Sequence, residues 1–344
     1  MSRPTPKAGL EVSRRDLLRA GAAGALGIAG SAALAKLGGI QQETPVPRLR
    51  HPGEMEGHGQ LATVGDVDTR LFDPLRFLEH FDRGRATTLP DGRTLRQWTI
   101  IAADREIEVA PGVFFPAWTF NGSVPGPTFR CTEGELLRFR FFNQGTHPHT
   151  MHFHGIHAPA MDGVFPQVDP GDGFTYEFVA RPFGLHPYHC HAQPLKRHIH
   201  KGLYGTLIID PPGGRPPARE MVMVMNAFDT NFDGENEVYA VNTVAFHYER
   251  HPIPVKVGEP QRVYLSNLTE FDPINSFHLH AGMFRVIRTG TSLEPTELTD
   301  TVMLCQGERH ILEFVLEEPG DYMFHAHQSE FTELGWSGFF RATA

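Results

Sequence analysis

The feature that most constrains this chain is a short stretch that sets a cysteine between two histidines, His189-Cys190-His191, and adds His198 and His200 within the next ten residues. Successive side chains of a β-strand point to opposite faces, so on a strand Cys190 would face one way and its two histidine neighbours the other. A metal bound by the cysteine would then lie a few bonds from metals bound by the histidines. The simpler alternative is a lone buried cysteine among incidental histidines.

A second histidine-rich stretch divides in the same way. His152 and His154 share one face of a strand, whereas His149, three residues earlier, falls on the other. Together with Cys190 and His198, His149 makes a His2Cys set, which is the ligand set of a blue type 1 copper site. Four histidines of the two stretches remain for a second, all-imidazole site: His152, His154, His189 and His191.

The C-terminal half repeats the imidazole part of this pattern. It carries two further His-x-His pairs, His278-Leu-His280 and His325-Ala-His327. With His152-Phe-His154 and His189-Cys-His191 they make a set of four, one of which is the His-Cys-His. A zinc site is satisfied by four ligands and would not need eight histidines and a cysteine. With four pairs in this order, residues 95–344 resemble the multicopper oxidases.

This resemblance implies how the histidines divide among four coppers per chain, one of type 1, one of type 2 and two of type 3. In that family the four His-x-His pairs hold a trinuclear copper cluster. The first histidine of each early pair, His152 and His278, matches the type 2 ligands. Six histidines match the type 3 pair: His154, His189, His191, His280, His325 and His327.

Among the type 1 ligands, the choice of His198 rests on a resemblance. The segment from His198 to Leu203 resembles the His-x-x-x-Gly-Met segment that follows the cysteine in copper nitrite reductases, and His200 is the competing choice of ligand. Leu203 stands where many blue copper proteins have a weak axial methionine. Leucine cannot coordinate, so we expect a three-coordinate copper with a raised potential. The matching positions of the C-terminal half cannot replace a His2Cys set: Asn275, Ala326, Phe331 and Trp336.

Two acidic residues are candidates for proton delivery. Asp162, in Met161-Asp162-Gly163, resembles the acidic residue that family members place near the type 2 copper; the alternative is a turn aspartate before glycine. Glu330, just past His327, is the second candidate, and its alternative is an exposed loop charge.

The resemblance implies a laccase-like oxidase. Such an enzyme takes single electrons from a donor and passes four of them to dioxygen, which leaves as water. Phenols, amines and metal ions all serve as donors within the family, and the sequence does not choose among them. Two alternatives are a copper nitrite reductase, which needs fewer histidines, and an electron carrier, which needs only the type 1 ligands. Copper content separates the three, at four, two or one per chain.

From Leu95 onward the pattern is that of short β-strands. Leu136 to Phe142 alternates as a half-buried strand should, and Asn121-Gly122 is a turn signal. The sequence predicts an all-β fold of two cupredoxin-like Greek-key β-sandwich domains, residues 95–210 and 219–344, joined by a segment rich in proline and glycine.

The first 35 residues predict an export signal. Twin arginines, Arg14-Arg15, precede a weakly apolar run that ends in a small-x-small site at Ala33-Leu-Ala35. This resembles a twin-arginine (Tat) signal and predicts the periplasm, cell surface or exterior. The alternative is an uncleaved membrane anchor. Residues 36–94 form an N-terminal extension without a clear period, with a short helix expected near residues 72–82.

Net charge limits which partners the chain can bind, and cysteine content limits how its thiols can pair. A formal net charge of −9 argues against nucleic acid as a partner. Of three cysteines, Cys190 is assigned to copper, and we predict two buried, unpaired thiols at Cys131 and Cys305 rather than a disulfide.

The two-domain oxidases that the chain resembles associate head to tail. The resemblance therefore implies a homotrimer with each cluster between domain one of one chain and domain two of the next.

Overall fold

The computed structural model describes residues 65–344. The predicted export signal, residues 1–35, and the extension up to residue 64 lie outside the described residues. Within the described part, strands form four sheets, two in each half of the chain. The predicted all-β fold of cupredoxin-like sandwiches is confirmed.

The N-terminal sandwich, domain one, has two sheets and two short α-helices. The first sheet contains, in spatial order, β1 (Arg85–Thr88), β2 (Thr94–Ala110), β5 (Leu136–Asn143) and β7 (Gly173–Val179), and β3 (Val113–Phe120) also pairs with β2. The second contains β4 (Phe129–Thr132), β9 (Tyr204–Asp210), β8 (Gly184–His189) and β6 (His152–Phe153). The helices are α1 (Pro74–Leu78) and α2 (Leu195–His200), and a 3-10 turn spans Pro159–Met161.

The C-terminal sandwich, domain two, has the same plan. Its first sheet contains, in spatial order, β11 (Val238–Val241), β10 (Arg219–Phe228), β13 (Gln261–Asn267), β18 (Arg309–Phe314), β15 (Phe284–Arg288) and β16 (Glu297–Thr299). The second contains β12 (Ile253–Lys256), β20 (Ser337–Thr343), β19 (Gly320–His325), β14 (Ile274–Leu279) and β17 (Thr301–Cys305). The helices are α3 (His247–Arg250) and α4 (Ser329–Glu333).

Strand pairing repeats between the two domains. The parallel pairs β2–β5 and β4–β9 correspond to β10–β13 and β12–β20. The antiparallel pair β6–β8 corresponds to β14–β19, and each member of these two pairs carries or leads into one His-x-His. The internal similarity seen in the sequence is therefore a similarity of topology, and it gives each domain one pair of neighbouring histidine strands.

Strand β10 forms the wall between two hydrophobic cores. Its methionines, Met221, Met223 and Met225, pack into the core of domain two, whereas Val222 and Val224 pack into a core shared with domain one. Both faces of the strand are buried, which explains why this segment is apolar without interruption. The three alternating methionines thus lie on one face of this strand.

The end of the N-terminal extension is ordered against both domains. The expected short helix is present as α1, where the Asp73 side chain accepts the backbone N–H groups of Leu75 and Arg76 and Pro74 occupies the first turn. Strand β1 also falls in this extension and was not predicted, because all four of its residues are exposed and give no alternating pattern.

The two remaining cysteines differ in environment. Neither forms a disulfide, in agreement with the prediction, but only Cys131 is buried and Cys305 is exposed. The prediction of two buried thiols was wrong for Cys305, because β17 alternates and places Thr301, Met303 and Cys305 on its outer face. Among residues 65–344, no helix is both long and apolar enough to cross a membrane.

Candidate metal centres

Three side chains converge in domain one to form a His2Cys pocket. His149 comes from the loop before β6, Cys190 follows β8, and His198 lies on α2. The two Nδ1 atoms are 3.1 Å apart, and the Cys190 Sγ lies 3.2 Å from Nδ1 of His198 and 3.9 Å from Nδ1 of His149. All three residues are buried. The structure thus brings together the three residues that the sequence grouped.

Backbone hydrogen bonds hold this pocket in place. His149 exchanges two backbone hydrogen bonds of 3.0 Å with Val168, and the Cys190 N–H donates to the Leu203 carbonyl at 2.9 Å. The Thr150 N–H donates to the Cys190 sulfur at 3.3 Å. Strand β8 ends at His189, so the cysteine lies just beyond the strand on which we expected it. The bond to Leu203 keeps the chain extended there, and the division of side chains between two faces persists.

Burial sets the protonation of the pocket without a metal. It lowers the pKa of His149 to about 3 and that of His198 to about 4, so both imidazoles are neutral at neutral pH. It raises the pKa of the Cys190 thiol to about 11. A cation between the three groups would reverse the preference at sulfur, because a bound metal favours the thiolate.

The pocket suits a metal ion of the blue-copper kind. Metal–nitrogen bonds of about 2 Å place two ligand atoms of one ion roughly 3–4 Å apart, which is the range observed between these three atoms. The donor set is His2Cys, and Leu203 is fully buried in the same core cluster as Cys190. His200 lies elsewhere. Its Nε2 accepts the Asp229 N–H at 3.3 Å, so the structure brings His198 to the cysteine and not His200.

Four histidines of domain one form a first half-site on the other side of this chain segment. His152 on β6 lies directly opposite His189 on β8, and His154 Nε2 approaches His189 Nε2 to 3.3 Å. The His191 ring lies 5.4 Å from that of His152, and its Nδ1 is buried without a hydrogen-bond partner. Because Cys190 stands between His189 and His191, this half-site and the His2Cys pocket share one continuous backbone segment.

Domain two carries a second half-site of the same construction. His278 on β14 lies directly opposite His325 on β19, and His280 Nε2 approaches His325 Nε2 to 2.9 Å. The His327 ring lies 5.3 Å from that of His278. His280 and His327 are exposed, so this half-site is more open than its counterpart. All eight histidines of the predicted cluster therefore lie in the two half-sites.

Carbonyl groups fix the orientation of the imidazoles. His152 Nδ1 donates to the Asp162 carbonyl at 2.7 Å and His278 Nδ1 to that of Asp300 at 3.0 Å. His189 and His325 each donate Nδ1–H to the carbonyl of the next residue, at 3.0 and 2.5 Å. Each such bond leaves Nε2 as a free lone pair, which is the usual arrangement behind a metal-binding histidine.

The half-sites also have the dimensions of metal sites. With metal–nitrogen bonds near 2 Å, the Nε2 separations correspond to angles at the metal of about 105° in domain one and about 90° in domain two. Burial lowers the pKa values of His154 and His189 to about 3 and about 4, so they are neutral and able to coordinate.

The two predicted acidic residues lie in different environments. The Asp162 carboxylate is 3.2 Å from Nδ1 of His152 and 3.8 Å from Nε2 of His157. Gly163 permits this approach: its φ is +79°, and a Cβ there would overlap the Met151 carbonyl. Glu330 is exposed on α4, and in the described part of the chain its carboxylate makes no hydrogen bond to a histidine. The structure brings Asp162 to the half-site, whereas Glu330 makes no such contact to a histidine in the described residues.

The sequence reasoning missed three residues near these centres. The Thr150 hydroxyl accepts the His191 N–H at 3.0 Å, and the Ser276 hydroxyl accepts the His327 N–H at 2.7 Å. Both hydroxyls stand two residues before the first histidine of an early pair, and aligning the two domains would have found them. Trp118 packs on His149 and His198 from a distant strand, and no local pattern signals that contact.

Two family models cover most of the described chain. Both are described as multicopper oxidase, and they match residues 103–214 and 214–343. A solved structure of a multicopper oxidase is 53% identical to this chain, with a TM-score of 0.78, and the match covers 79% of this chain and 97% of that one.

Copper nitrite reductases are more distant relatives. The solved enzyme from Nitrosomonas europaea is 26% identical, with a TM-score of 0.66, and the match covers 72% of this chain and 94% of that one. The copper-containing nitrite reductase of Neisseria meningitidis serogroup A is 29% identical over 245 residues, covering 65% of this chain. The chain spans 63% of the length of that curated relative.

Proposed function

The chain belongs to the multicopper oxidases, and from that membership we propose that it couples the one-electron oxidation of a small donor to the four-electron reduction of dioxygen to water. It is a copper-binding oxidoreductase by family. The proposal adds the acceptor, a laccase-like donor that is a phenol, an amine or a metal ion, and four coppers per chain.

One observation carries this proposal. Each domain presents four histidines in a half-site, and the half-site of domain one is joined through Cys190 to a His2Cys pocket. An electron carrier would need the pocket alone. Eight further histidines, four of which are oriented by carbonyl groups so that Nε2 is free, support a site for several metal ions, as dioxygen reduction requires.

The residues divide the work among them. Copper bound at these positions would supply one-electron exchange at the pocket and multi-electron reduction of dioxygen at the half-sites. Cys190 links the two places covalently, because its chain neighbours His189 and His191 belong to the half-site. Asp162, 3.2 Å from His152, holds or donates a proton beside the half-site, and we keep Glu330 as a lesser candidate for the same task.

The open half-sites support a homotrimer. Within one chain the histidines of the two half-sites form separate candidate metal groups, and we propose that a cluster built from both forms between chains. Large apolar side chains are exposed close to each: Ile156 and Phe165 near the first, and Ile274, Met283 and Met303 near the second. Exposed apolar patches of this kind mark protein interfaces. A head-to-tail contact that closes after three chains would bury both.

Copper content tests the proposed function against its alternatives. We expect four coppers per chain in the purified protein, with oxygen consumption that depends on an added phenol. A copper nitrite reductase, which the relatives in Neisseria and Nitrosomonas make the main alternative, would hold two and would consume nitrite. A count of one, with no oxygen uptake, would indicate a carrier.

A mixing experiment tests the trimer. One variant carries His152→Ala with His154→Ala and the other His278→Ala with His280→Ala, so each alone has only one intact half-site. Unfolding and refolding them together with copper is expected to restore part of the oxygen consumption, because mixed trimers contain some complete sites. Each variant refolded alone is the control. A monomer in light scattering, or no recovery in the mixture, would rule the shared cluster out.

We also propose export by the Tat route, to the periplasm, cell surface or exterior. The support is the twin-arginine stretch at Arg14-Arg15. Changing both arginines to lysine is expected to retain the protein in the cytoplasm, as measured by cell fractionation. Unaltered export of that variant would contradict the assignment.

A further inference from the structure

Lys201 buries a positive charge close to the His2Cys pocket. The residue directly follows α2 and is only 8% exposed. Its ammonium lies 4.8 Å from the centroid of the Phe115 ring, 5.0 Å from that of Phe232 and 5.9 Å from that of Trp118. The faces of aromatic rings attract cations, so these three rings hold the ammonium where water would otherwise solvate it. Rings of this kind stabilise a charge without neutralising it.

No acidic group is paired with this lysine in the described part of the chain. Among residues 65–344, its ammonium forms neither an ion pair nor a hydrogen bond. The carboxylate that acts on it, Asp104, is exposed and accepts the Thr146 hydroxyl at 2.6 Å. Burial lowers the pKa of Lys201 to about 8, so the ammonium remains the main form at about pH 6.5. Because lysines are seldom buried without a partner, the charge itself is the feature to be explained.

Trp118 connects this charge to the pocket. Its ring centroid lies 5.1 Å from that of His149 and 4.8 Å from that of His198, and its backbone N–H donates to the Lys201 carbonyl at 2.7 Å. The indole is 4% exposed, so buried protein rather than water separates the ammonium from the two histidines. Charges interact more strongly through buried protein than through water, because its effective dielectric constant is lower.

We propose that Lys201 raises the redox potential of the His2Cys pocket by keeping an unpaired positive charge next to it. The inference rests on the proposed function, because it needs copper in the pocket. Oxidised copper carries one positive charge more than reduced copper, so a nearby cation disfavours the oxidised form. Leu203 is expected to act in the same direction, since it leaves the axial position without a ligand. Lys201 touches no reacting atom and sets how strongly the pocket attracts an electron.

A higher potential determines which donors the pocket can oxidise. Methoxy groups enrich a phenol ring in electrons and make its oxidation easier, whereas unsubstituted phenol needs a stronger oxidant. In either case the phenol loses one electron to the pocket and its hydroxyl proton to water, and becomes a phenoxyl radical. Lys201 therefore extends the range of donors towards phenols that are poor in electrons.

Domain two supplies one ring of the group around the ammonium. Phe232 lies on the loop between β10 and β11, has a φ of +65° and is 55% exposed. Its ring stacks on that of Phe115, on β3, with the centroids 6.0 Å apart. The Phe232 ring thus stands between buried protein and solvent. Its removal is expected to admit water to the ammonium without changing the charge.

Redox titrations followed by the blue band test the charge at about pH 6.5. Lys201→Met keeps an unbranched side chain and removes the charge, and we expect a lower potential. At the midpoint of the unaltered protein, the ratio of reduced to oxidised pocket should fall about tenfold, the order expected for unit charges about 10 Å apart in partly buried surroundings. Lys201→Arg, which keeps the charge, should stay near the unaltered ratio. The blue spectrum should persist in both variants, because the ligands are unchanged.

Arg197 supplies a matched control. Its guanidinium lies 5.2 Å from the centroid of the same indole, but the residue is exposed. Arg197→Met should change the ratio about threefold or less, and the change should vanish at high salt, because water and ions screen an exposed charge. The effect of Lys201→Met should persist at the same salt concentration. Phe232→Ala should give an intermediate change that salt reduces.

Donor preference gives a second measurement. Lys201→Met should slow the oxidation of unsubstituted phenol more than that of a dimethoxyphenol, because the lower potential removes driving force where least is available. Equal slowing of the two donors would contradict the effect on donor range.

Three results would overturn the role of Lys201. These are an unchanged potential in Lys201→Met, an equal loss in Lys201→Arg, which would assign the effect to packing, and an effect of Lys201→Met that high salt removes. If Lys201→Met does not fold, the titration of Phe232→Ala decides, and an unchanged potential there leads to the same rejection. An unaltered protein that never turns blue with copper would instead reject the proposed function, which keeps the two failures distinct.

Discussion

The His2Cys pocket of domain one and its counterpart in domain two occupy the same place in the same fold. In domain two Asn275 stands where domain one has His149, and its amide is used locally: it donates to Thr269 Oγ1 at 3.1 Å and accepts the Ser276 N–H at 2.8 Å. Ala326 stands where Cys190 would be. Tyr239 stacks on Phe331 at 4.1 Å, and these rings fill the region together with the fully buried Trp336.

The hydrogen bonds that position the histidines next to the two pockets are nevertheless the same. Both domains direct a hydroxyl to the backbone N–H of the last histidine, and both hold the same imidazoles by carbonyl groups. The half-sites therefore do not depend on a metal pocket behind them. At that position the fold accepts either a ligand set or an aromatic core, and the choice rests on three or four side chains.

The largest expected effect comes from removing the thiolate, because it abolishes the difference in copper binding between the two pockets. Cys190→Ser makes the pocket of domain one as unable to bind blue copper as that of domain two, because Cys190 is the cysteine that the described part of the chain groups with the two histidines. We expect complete loss of the intense blue absorption, while the electron paramagnetic signal of the type 2 copper survives.

The other cysteines supply the controls. Cys131→Ser should remain blue, because that buried thiol donates to the Ile208 carbonyl and is not grouped with His149 and His198. Ala326→Cys should not create a second blue centre, because Asn275 and Phe331 cannot complete a His2Cys set. A Cys190→Ser protein that stays blue would mean that the pocket is not the type 1 site.

The aromatic core of domain two is the next point to test. Trp336 is 0% exposed and packs beside Phe277 and Phe324, so truncation leaves a large cavity. Trp336→Ala is expected to lower the free energy of unfolding by about 3–5 kcal/mol in denaturant titration. Trp336→Phe, which keeps most of the ring volume, should lose much less. A loss near zero for the alanine variant would show that this pocket is not filled by packing.

Local pattern was enough to predict the fold class and to group the histidines. Strand parity and internal duplication both act over a few residues, so the alternation of the sequence alone assigns His152, His154 and Cys190 to their faces. Trp118 could not be found, because its contact to the pocket joins β3 to α2 across the domain. From the sequence, Asn275 and Trp336 could be described only as residues unable to coordinate copper. Only the structure shows that Asn275 instead makes local hydrogen bonds and that Trp336 belongs to an aromatic core.

The backbone carbonyl that accepts the hydrogen bond of the first histidine has different surroundings in the two domains. A substitution that disturbs these surroundings is expected to have a smaller effect. In domain one the carbonyl belongs to Asp162, next to the left-handed Gly163, whereas in domain two it belongs to Asp300, next to Thr301 in a regular strand. Gly163→Ala should cost about 1–2 kcal/mol for its backbone angle. Overlap with the Met151 carbonyl should add roughly 1–3 kcal/mol and disturb the type 2 signal.

A second glycine separates these two costs. Gly171 also has a positive φ, +91°, but nothing lies within 4 Å of a Cβ placed there. Gly171→Ala should therefore show only the backbone cost, about 1–2 kcal/mol, with no change in the type 2 signal. Equal losses of stability in the two variants would show that the turn at Asp162 has room to relax.

The smallest expected effect concerns Leu203, which occupies in domain one the position that Trp336 occupies in domain two. Leu203→Met nearly conserves volume, so it should cost less than about 1.5 kcal/mol of stability. Its thioether can donate electron density to the oxidised copper, which leucine cannot, and the axial ligand is one of the features that set the potential of such sites. We therefore expect a lower type 1 potential in redox titrations followed by the blue band. Leu207→Met makes the same exchange on β9, within the same core cluster, and should leave the potential in place. If both variants keep the original potential, Leu203 does not occupy the axial position, and the three-coordinate site inferred from it has to be abandoned.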